Sequence, residues 1–460
     1  MDASSETAAA SAGVSAAEAA PRPSWRDTLA VYLQKRVLIV LLLGFSSGLP
    51  LALSGSTLQV WMREAGVDLG TIGLFALVGT PYTIKFLWAP LVDALHVPWL
   101  TARLGRRRGW LVFSQALLMA AIVLLALTDP ARAPWLVALG ALMVATASAT
   151  QDIVVDAFRV ESLPEPEQAA GMASYVAAYR VGMLASTAGA LFLVSAFEGA
   201  GTGKSAAWMW GYVVMAALVI VGTLTALAAT EPGQSAQADA AAASDNRARR
   251  VVNAAVGAFT EFLARRDALA VLAFVVLFKF TDAFSGAMTA PFVIDIGFSR
   301  NDYAAIVKGV GLAATLIGGF AGGFVARAYS LPASLWIGGA VQALANLSFS
   351  WLAFVGVDQW ALAFAISAEN FTSAIGTVIF VAYLSALCNS PLHTATQYAL
   401  LTALAAIGRT YLSSGAGFVA TATGWPAFFA LCVVAAVPSL MLLMWLQRRG
   451  HFAALEKDAG

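Results

Sequence analysis

The sequence predicts an all-α membrane protein with twelve transmembrane helices in two six-helix bundles. Hydrophobic residues make up 60% of the 460 residues and charged residues only 12%, which is not the composition of a soluble globular protein. Apolar runs long enough to cross a hydrocarbon layer about 30 Å thick recur along the chain. Similar segments also occur in its first and second halves.

The apolar spans form two groups of six, separated by a polar break. The break opens with Glu231-Pro232-Gly233 and ends in a basic cluster, as expected of a linker. The predicted spans are 36–62, 70–93, 109–127, 134–158, 168–197, 206–229, 268–294, 302–326, 333–356, 359–388, 394–422 and 425–446. The predicted regions are a disordered cytoplasmic tail (1–35), an N-terminal bundle (36–229), a cytoplasmic linker (230–267), a C-terminal bundle (268–446) and a cytoplasmic tail (447–460).

Basic residues indicate how the spans are oriented. With the amino terminus inside, the inner tails and loops hold 18 lysines and arginines, whereas the outer loops hold 4. Positive charge accumulates in the cytoplasmic loops of membrane proteins. We therefore predict that both termini and the linker lie in the cytoplasm.

Repeated segments relate the two groups of spans. The stretch from Ala65 to Gly73 follows the first span, and the stretch from Ile296 to Tyr303 follows the seventh at an offset of 231 residues. Tyr179-Arg180 in the fifth span corresponds to Gly408-Arg409 in the eleventh. Two parallel halves of six spans joined by a cytoplasmic linker are typical of major facilitator transporters, whose binding site lies between the halves.

Charged residues in the fourth span suggest a coupling site. Asp152, Asp156 and Arg159 share one helical face, and a carboxylate at the centre of a spanning helix costs about 2.5–3.5 kcal/mol. Asp152 and Asp156 are therefore predicted to face a wet or paired interior and to bind the coupling proton. The alternative interpretation places both at the cytoplasmic end of the span, where water is close.

Other charges interrupt apolar spans and are predicted to face a central cavity, where they find partners. Lys279 and Asp282 can pair within one helix because they are three residues apart, and we hypothesise an ion pair between Lys85 and Asp152. Excess cations suit an anionic solute, although each charge could instead be structural. The predicted substrate-binding residues are Gln59, Lys85, Gln151, Arg180, Lys279, Asp282, Glu369, Asn370, Gln397 and Arg409.

The loop after the second span resembles the facilitator signature between spans two and three, an acid followed by Gly-Arg-Arg. Asp93 closes the span and Gly105-Arg106-Arg107 opens the next, but about a dozen residues separate the acid from the glycine. The resemblance implies a charge latch formed by Asp93, Arg106 and Arg107, which steadies the outward-open state. A plain positive-inside anchor explains the arginines equally well.

Composition argues against several other classes of protein. A net charge of +1 gives no support for nucleic-acid binding, and two cysteines with three scattered histidines do not make a metal site. The stretch from Glu198 to Ser205 looks like a phosphate loop, but Glu198 stands where the first glycine is required and no strand precedes it. We therefore expect no enzyme activity and no cofactor other than the proton as coupling ion.

Longer motifs resemble the AmpG muropeptide permeases, in order over about 36–446. In the first half they are Gly44-Phe45-Ser46-Ser47-Gly48-Leu49-Pro50, Lys85-Phe86-Leu87-Trp88-Ala89-Pro90 and Ser148-Ala149-Thr150-Gln151-Asp152. In the second half they are Lys279-Phe280-Thr281-Asp282, Glu369-Asn370 and Ala395-Thr396-Gln397-Tyr398.

The AmpG resemblance implies a cargo and a location. It implies proton-driven import of N-acetylglucosaminyl-1,6-anhydro-N-acetylmuramyl units, with or without a stem peptide, across the inner membrane of a Gram-negative bacterium. The role would be peptidoglycan recycling, with an indirect link to β-lactamase induction. We expect a monomer in the lipid bilayer. A facilitator importing a siderophore or another small conjugate, a drug exporter and a sensor without transport remain alternatives.

Overall fold

The computed structural model describes residues 30–232, 260, 263–264, 267–387 and 394–459, and no strand occurs among them. Residues 1–29 of the predicted tail (1–35) and most of the predicted linker (230–267) therefore lie outside the described residues. Within this described part of the chain, eleven helices are long and apolar enough to cross a membrane, and a twelfth helical segment occupies 394–423. They are α1 (Lys35–Glu64), α2 (Leu69–Leu87), α3 (Arg106–Ala126), α4 (Pro134–Ser162), α5 (Ala170–Gly199), α6 (Lys204–Ala228), α7 (Ala268–Asp295), α8 (Arg300–Ala326), α9 (Leu331–Val355), α10 (Gln359–Ala386), α11 (394–423) and α12 (Trp425–Arg448).

The prediction of an all-α membrane protein is confirmed, but the second span is not the continuous helix expected over 70–93. Helix α2 contains 3-10 turns at Phe75–Gly79 and Lys85–Leu87, and a separate short helix follows at Ala89–Ala94. Pro81 and Pro90 each lie in the first turn of a new helical piece, because proline fits the first turn of a helix better than its interior.

Three of the membrane helices contain a π-helical segment. These segments are Ala185–Gly189 in α5, Tyr303–Val310 in α8 and Gly408–Leu412 in α11. A π turn widens the helix locally and shifts the direction in which the following side chains point, and such turns are frequent at functional sites. Hydropathy does not reveal them, because it reports the composition of a helix and not its pattern of backbone hydrogen bonds.

Small residues let helices α1 and α5 pack closely in the N-terminal half. A Cβ atom added to Gly48 would overlap the carbonyl oxygen of Tyr179, and one added to Gly182 would overlap that of Phe45. Close approach of backbones through glycine is a common basis of helix association in membranes.

Apolar packing differs between the two ends of the bundle. We call the end that carries Lys35 and Arg448 the terminal end, and the opposite end the distal end. At the distal end one continuous core contains residues of both halves, among them Leu49, Trp61, Phe292 and Phe428. Towards the terminal end each half has its own cluster, around Phe158 in the N-terminal half and Tyr383 in the C-terminal half. The halves are therefore joined most tightly at the distal end.

The sequence repeat has a structural counterpart at the distal end. Gly66 after α1 and Gly297 after α7 both have positive φ, at 84° and 108°, a conformation that favours glycine. Two residues later, Asp68 and Ser299 are the N-caps of the next helices. The same turn therefore connects α1 to α2 and α7 to α8.

Replacing Asp68 by alanine is expected to lower the stability of the folded protein by about 1 kcal/mol, the usual cost of a lost N-cap. The Asp68 carboxylate accepts hydrogen bonds from the Thr71 amide at 2.8 Å and the Thr71 hydroxyl at 2.6 Å. Thermal unfolding in detergent measures the change. Asp68→Asn is the matched control, because asparagine caps helices about as well as aspartate; an equal loss in both variants would contradict the capping role.

The hydrogen bonds between Thr71 and Asp68 also determine how the contribution of Asp68 to stability depends on pH. The hydrogen bonds from Thr71 hold the pKa of the Asp68 carboxyl below its usual range. The resulting stabilisation is complete above the usual aspartate pKa and is lost as the pH falls through the lowered pKa. The difference in unfolding temperature between wild type and Asp68→Asn is therefore expected to change only under strongly acidic conditions.

Candidate functional site

A cavity of about 630 Å³ lies between the two halves. Helices α1, α2 and α5 line it on one side, and α7, α8, α10 and α11 line it on the other. Its polar and charged lining residues are Ser56, Gln59, Tyr82, Thr83, Arg180, Thr187, Asp282, Lys308, Thr315, Glu369, Asn370, Thr410 and Ser413. An interior of this size with a few polar groups is typical of a small-molecule site.

The predicted binding residues divide into three groups. Five of them line the cavity: Gln59, Arg180, Asp282, Glu369 and Asn370. Five other predicted site residues are not in its lining: Lys85, Gln151, Asp152, Asp156 and Lys279. The side chains of Gln397 and Arg409, like that of Asp93 in the predicted latch, lie outside the described part of the structure.

Lys279 and Asp282 form the ion pair expected from their spacing. The Lys279 ammonium lies 2.5 Å from the Asp282 carboxylate, and the Ser373 hydroxyl donates to the same carboxylate at 2.7 Å. The ammonium also donates to the Thr377 hydroxyl at 3.0 Å. Helix α7 is thereby tied to α10, and the charge of Asp282 is neutralised beside the cavity.

Glu369 and Asn370 form a second polar group on α10. The Asn370 amide donates to the Glu369 carboxylate at 2.8 Å and to the Ile366 carbonyl at 2.9 Å. Its oxygen accepts from the Thr315 hydroxyl of α8 at 3.2 Å. Asn370 is thus held by three contacts, and it positions the Glu369 carboxylate.

Two cations reach the cavity from opposite halves. Arg180 comes from α5, and Lys308 comes from the π-helical segment of α8. Neither forms an ion pair with a described residue; the Lys308 ammonium lies 5.3 Å from the centre of the Tyr303 ring. Thr187 and Thr410 belong to the other two π-helical segments, so all three of these segments contribute to the cavity wall.

The hypothesised ion pair between Lys85 and Asp152 does not form among the described residues, and one oxygen of Asp152 is buried without a hydrogen-bond partner. At Ile84 the backbone leaves the α-helical conformation, with φ −104° and ψ 8°, so that Lys85 begins a 3-10 turn. Because of this turn, the Lys85 side chain does not point in the direction that a continuous helix would give it. Lys85 remains near enough to act electrostatically on Asp152.

The other polar residues of the fourth span have partners within the N-terminal half. Gln151 is fully buried, and its amide donates to the Ser47 hydroxyl at 3.3 Å. Asp156 is half exposed and lies 3.8 Å from the Arg159 guanidinium. The sequence places Asp152 and Asp156 on one helical face, but that face is not part of the cavity lining.

The predicted arginine latch has described partners that were not foreseen. Arg107 binds Glu161 at the end of α4 with distances of 2.6 and 2.9 Å, and Arg106 lies 3.6 Å from the same carboxylate. The Glu231 carboxylate accepts the backbone N–H groups of Arg107 and Arg108 at 2.8 and 3.0 Å. Glu231 thereby caps the start of α3.

Ion pairs join the two halves at the distal end. Arg300 of the C-terminal half donates to Glu64 at 2.7 and 2.8 Å and to Glu198 at 2.8 Å. In the reverse direction, Arg63 of the N-terminal half binds Asp295, to which its Nε donates at 2.7 Å. We call these contacts the distal ion pairs.

The distal ion pairs were missed because Arg63 and Arg300 count only as outer-loop charges in the sequence. Glu64 and Asp295 occupy the same place in the repeat, each two residues before a turn glycine, and this is the signal that could have revealed them. Glu198, which prevents the following stretch from matching a phosphate loop, is a partner of Arg300.

Comparison with known proteins agrees with this architecture. The model of the Major Facilitator Superfamily matches residues 40–413. The D-xylose-proton symporter has a TM-score of 0.62 at 13% identity, covering 89% of this chain and 97% of that one. A POT family transporter in complex with 5-aminolevulinic acid has a TM-score of 0.66 at 12% identity, covering 90% and 96%. At such low identity these two structures support the fold alone.

Two sequence relatives are much more similar. The anhydromuropeptide permease of Escherichia coli (strain K12) is 39% identical over 418 residues, which cover 90% of this chain and 80% of the relative. The putative transporter AmpG 4 of Rickettsia felis is 33% identical over 430 residues, which cover 91% and 98%.

Together the fold, the central cavity and the family match define a multi-pass membrane transporter of the major facilitator superfamily. Within that superfamily the chain belongs to the AmpG muropeptide permease family. The predictions of the fold class, of the family and of a transporter as opposed to an enzyme are thereby confirmed.

Proposed function

We propose that this protein imports anhydromuropeptides, disaccharide units with a 1,6-anhydro sugar and with or without a stem peptide, for peptidoglycan recycling. The observation that carries the proposal is a cavity between the halves whose cations, Arg180 and Lys308, have no described ion-pair partner. The carboxylates of a stem peptide would neutralise them. The similarity to the anhydromuropeptide permease of Escherichia coli supports the same cargo.

Recognition of such a cargo needs hydrogen bonds as well as charge. Gln59 and the hydroxyls of Thr83, Thr187 and Thr410 line the cavity and would bind sugar hydroxyl and acetamido groups. Lys279 acts through Asp282, whose charge it neutralises. Gln397 and Arg409 remain predicted binding residues, and α11, on which they lie, borders the cavity through Ala406, Thr410 and Ser413.

Orientation follows from the distribution of basic residues. We place both termini in the cytoplasm and the distal end on the outer side of the bacterial inner membrane. The structure then corresponds to a state closed towards the outside by the distal ion pairs. Movement of the two bundles, 36–229 and 268–446, about the cavity would alternate access, with Asp93, Arg106 and Arg107 steadying the opposite state.

The proton is the proposed coupling ion, and no other cofactor is required. Asp152 and Asp156 are the proposed coupling carboxylates of the N-terminal half, and the Asp152 oxygen that is buried without a hydrogen-bond partner supports a role in binding a proton. We further propose that the protein works as a monomer, since each chain would contain both halves of the site. An effect on β-lactamase induction would be indirect, through the amount of muropeptide imported.

Uptake by proteoliposomes tests the proposed function. Purified protein is expected to accumulate labelled anhydromuropeptide when an inward proton gradient is imposed, and to leave a siderophore and a lipophilic drug outside. Asp152→Asn is expected to reduce accumulation to the level without a gradient while exchange of cargo survives, because asparagine cannot carry the proton. Normal accumulation by the variant would remove Asp152 from the mechanism.

The controls separate the alternative functions. Transport of the siderophore or the drug in place of muropeptide would identify a different carrier, and binding of muropeptide without flux would identify a sensor. Equal uptake with and without a proton gradient would contradict proton coupling and leave the cargo assignment intact.

A further inference from the structure

Among the described residues, two carboxylates line the cavity, and they differ in their surroundings. Asp282 is paired with Lys279 at 2.5 Å and accepts a hydrogen bond from Ser373, so its negative charge is fixed. Glu369 forms no ion pair with a described residue; its described hydrogen bond comes from the neutral Asn370 amide. A carboxylate without a counter-ion in a membrane interior is costly to keep ionised, so binding a proton relieves that cost.

Charged groups on the neighbouring helices act electrostatically on the Glu369 carboxylate, but none of those described forms an ion pair with it. Lys279 and Asp282 of α7 and Lys308 of α8 are near enough to act on it electrostatically. Helix α9 carries no ionisable residue. Arg409 of α11 has a side chain outside the described part, and Arg180 of α5 lines the cavity on the opposite side. Because Lys279 is already paired with Asp282, Lys308 is the described cation of the C-terminal half that remains for Glu369 or for the cargo.

We propose that Glu369 is the carboxylate that links proton binding to cargo occupancy. The proposal rests on the proposed function and deepens it, since it names the group through which an anionic cargo and the proton meet. Asp152 lies outside the cavity lining and can affect cargo only indirectly, whereas Glu369 is part of the cavity wall.

The mechanism requires only the transfer of a proton. Ionised Glu369 attracts Lys308 and repels a cargo carboxylate, so it lowers the affinity of the cavity for an anion. A proton bound from the outer side makes Glu369 neutral and leaves Lys308 free to bind the cargo carboxylate. When the cavity opens to the cytoplasm, Glu369 releases that proton, and the restored negative charge expels the cargo. Glu369 thereby carries a proton inwards with the cargo, and no bond of the cargo changes.

Binding of labelled peptide-bearing anhydromuropeptide to purified protein, measured across a pH series, tests this role. Wild type is expected to bind at least about tenfold more tightly at low pH than at high pH, since a change of 1.4 kcal/mol corresponds to tenfold. Glu369→Gln is expected to bind tightly at every pH and to keep counterflow, but to lose accumulation driven by a proton gradient. Glu369→Asp restores a titratable group and is expected to restore the pH dependence.

Asp358→Asn is the matched control for Glu369→Gln, because it makes the same change from carboxylate to amide on the same helix. Asp358 caps α10 at the distal end, and asparagine serves equally well there, so wild-type pH dependence is expected. Uptake of anhydromuropeptide by the wild-type protein tests the proposed function. The comparison of wild type with Glu369→Gln tests the role of Glu369. The proposed function and the role of Glu369 can therefore fail separately.

Two results would overturn the role of Glu369. The first is a Glu369→Gln variant that keeps the wild-type pH dependence of binding or accumulates cargo normally. The second is weaker binding of peptide-bearing cargo by the variant with unchanged binding of the peptide-free disaccharide, because Glu369 would then hold an ammonium group of the peptide instead of the proton.

Discussion

Reversing the charge of Arg300, by the substitution Arg300→Glu, is expected to reduce muropeptide uptake at least about tenfold. The Arg300 side chain is only 9% exposed and binds Glu64 and Glu198 of the opposite half. Removing one partner of a buried ion pair costs about 3–5 kcal/mol, because the other charge stays buried without a counter-ion. The substitution also adds repulsion, so the closed arrangement of the distal end becomes unfavourable.

Uptake and the separation of the halves should change together. Spin labels at Ala131→Cys and Val357→Cys, in exposed distal connections of the N- and C-terminal halves, report the distance across the distal end. Arg300→Glu is expected to shift this distance towards longer values. Arg300→Lys, which keeps the charge but cannot form the forked contact with two carboxylates, is expected to fall between wild type and Arg300→Glu.

Arg132→Glu is the control for a general effect of charge on the distal surface. Arg132 is 87% exposed, and its ion pair among the described residues is a local one with Asp129. Exposed pairs of this kind contribute about 0–1 kcal/mol. Uptake by this variant should remain near that of wild type. Wild-type uptake by Arg300→Glu would show that the distal ion pairs do not govern the transport cycle.

Adding one methyl group at Gly417 is expected to block transport by preventing closure of the distal end. In α11, a Cβ atom at position 417 would overlap the carbonyl oxygen of Leu69 in the opposite half. Gly73 of α2 faces the same contact, since a Cβ atom there would lie 2.9 Å from the Gly417 amide nitrogen. Both obstacles are backbone atoms and cannot move aside as a side chain would.

Gly417→Ala should reduce uptake to less than about a tenth of the wild-type value, because overpacking of a close contact costs about 1–3 kcal/mol or more and acts only in the closed state. Gly415→Ala is the matched control, since a Cβ atom at position 415 has no neighbour within 4 Å. The same spin-label pair should report a wider distal end in Gly417→Ala. A distal distance and an uptake equal to those of Gly415→Ala would show that α2 and α11 accommodate the added methyl group and still close.

Hydropathy was sufficient to predict the membrane helices because a spanning helix must be apolar over most of its length, whatever it contacts. The Lys279–Asp282 pair was also predictable, since both partners lie on one helix and their spacing determines whether they meet. The duplicated turns at Gly66 and Gly297 could be recognised because a positive φ requires the same residue type in both halves.

The composition of the cavity could not be predicted in the same way. Whether a charged residue lines the cavity depends on how its helix is rotated about the helix axis. The 3-10 turn at Lys85 and the π-helical segment at Lys308 change that rotation, and hydropathy does not detect either of them. Arg300 and Glu64 are distant in sequence and meet only through packing of the halves. Asp152 was therefore expected in the cavity because of its charge, although its helix directs it elsewhere.

The cap that Glu231 places on α3 bears on where the chain could be divided between its two halves. Gly105, at φ 94°, lies against the Glu231 side chain, and a Cβ atom there would overlap it. The N-terminal half thus makes a contact with a residue beyond its last membrane helix, α6. If the protein were produced as two separate fragments that assemble afterwards, a division after Glu231 would keep this cap within the amino-terminal fragment, whereas a division before it would leave the start of α3 uncapped.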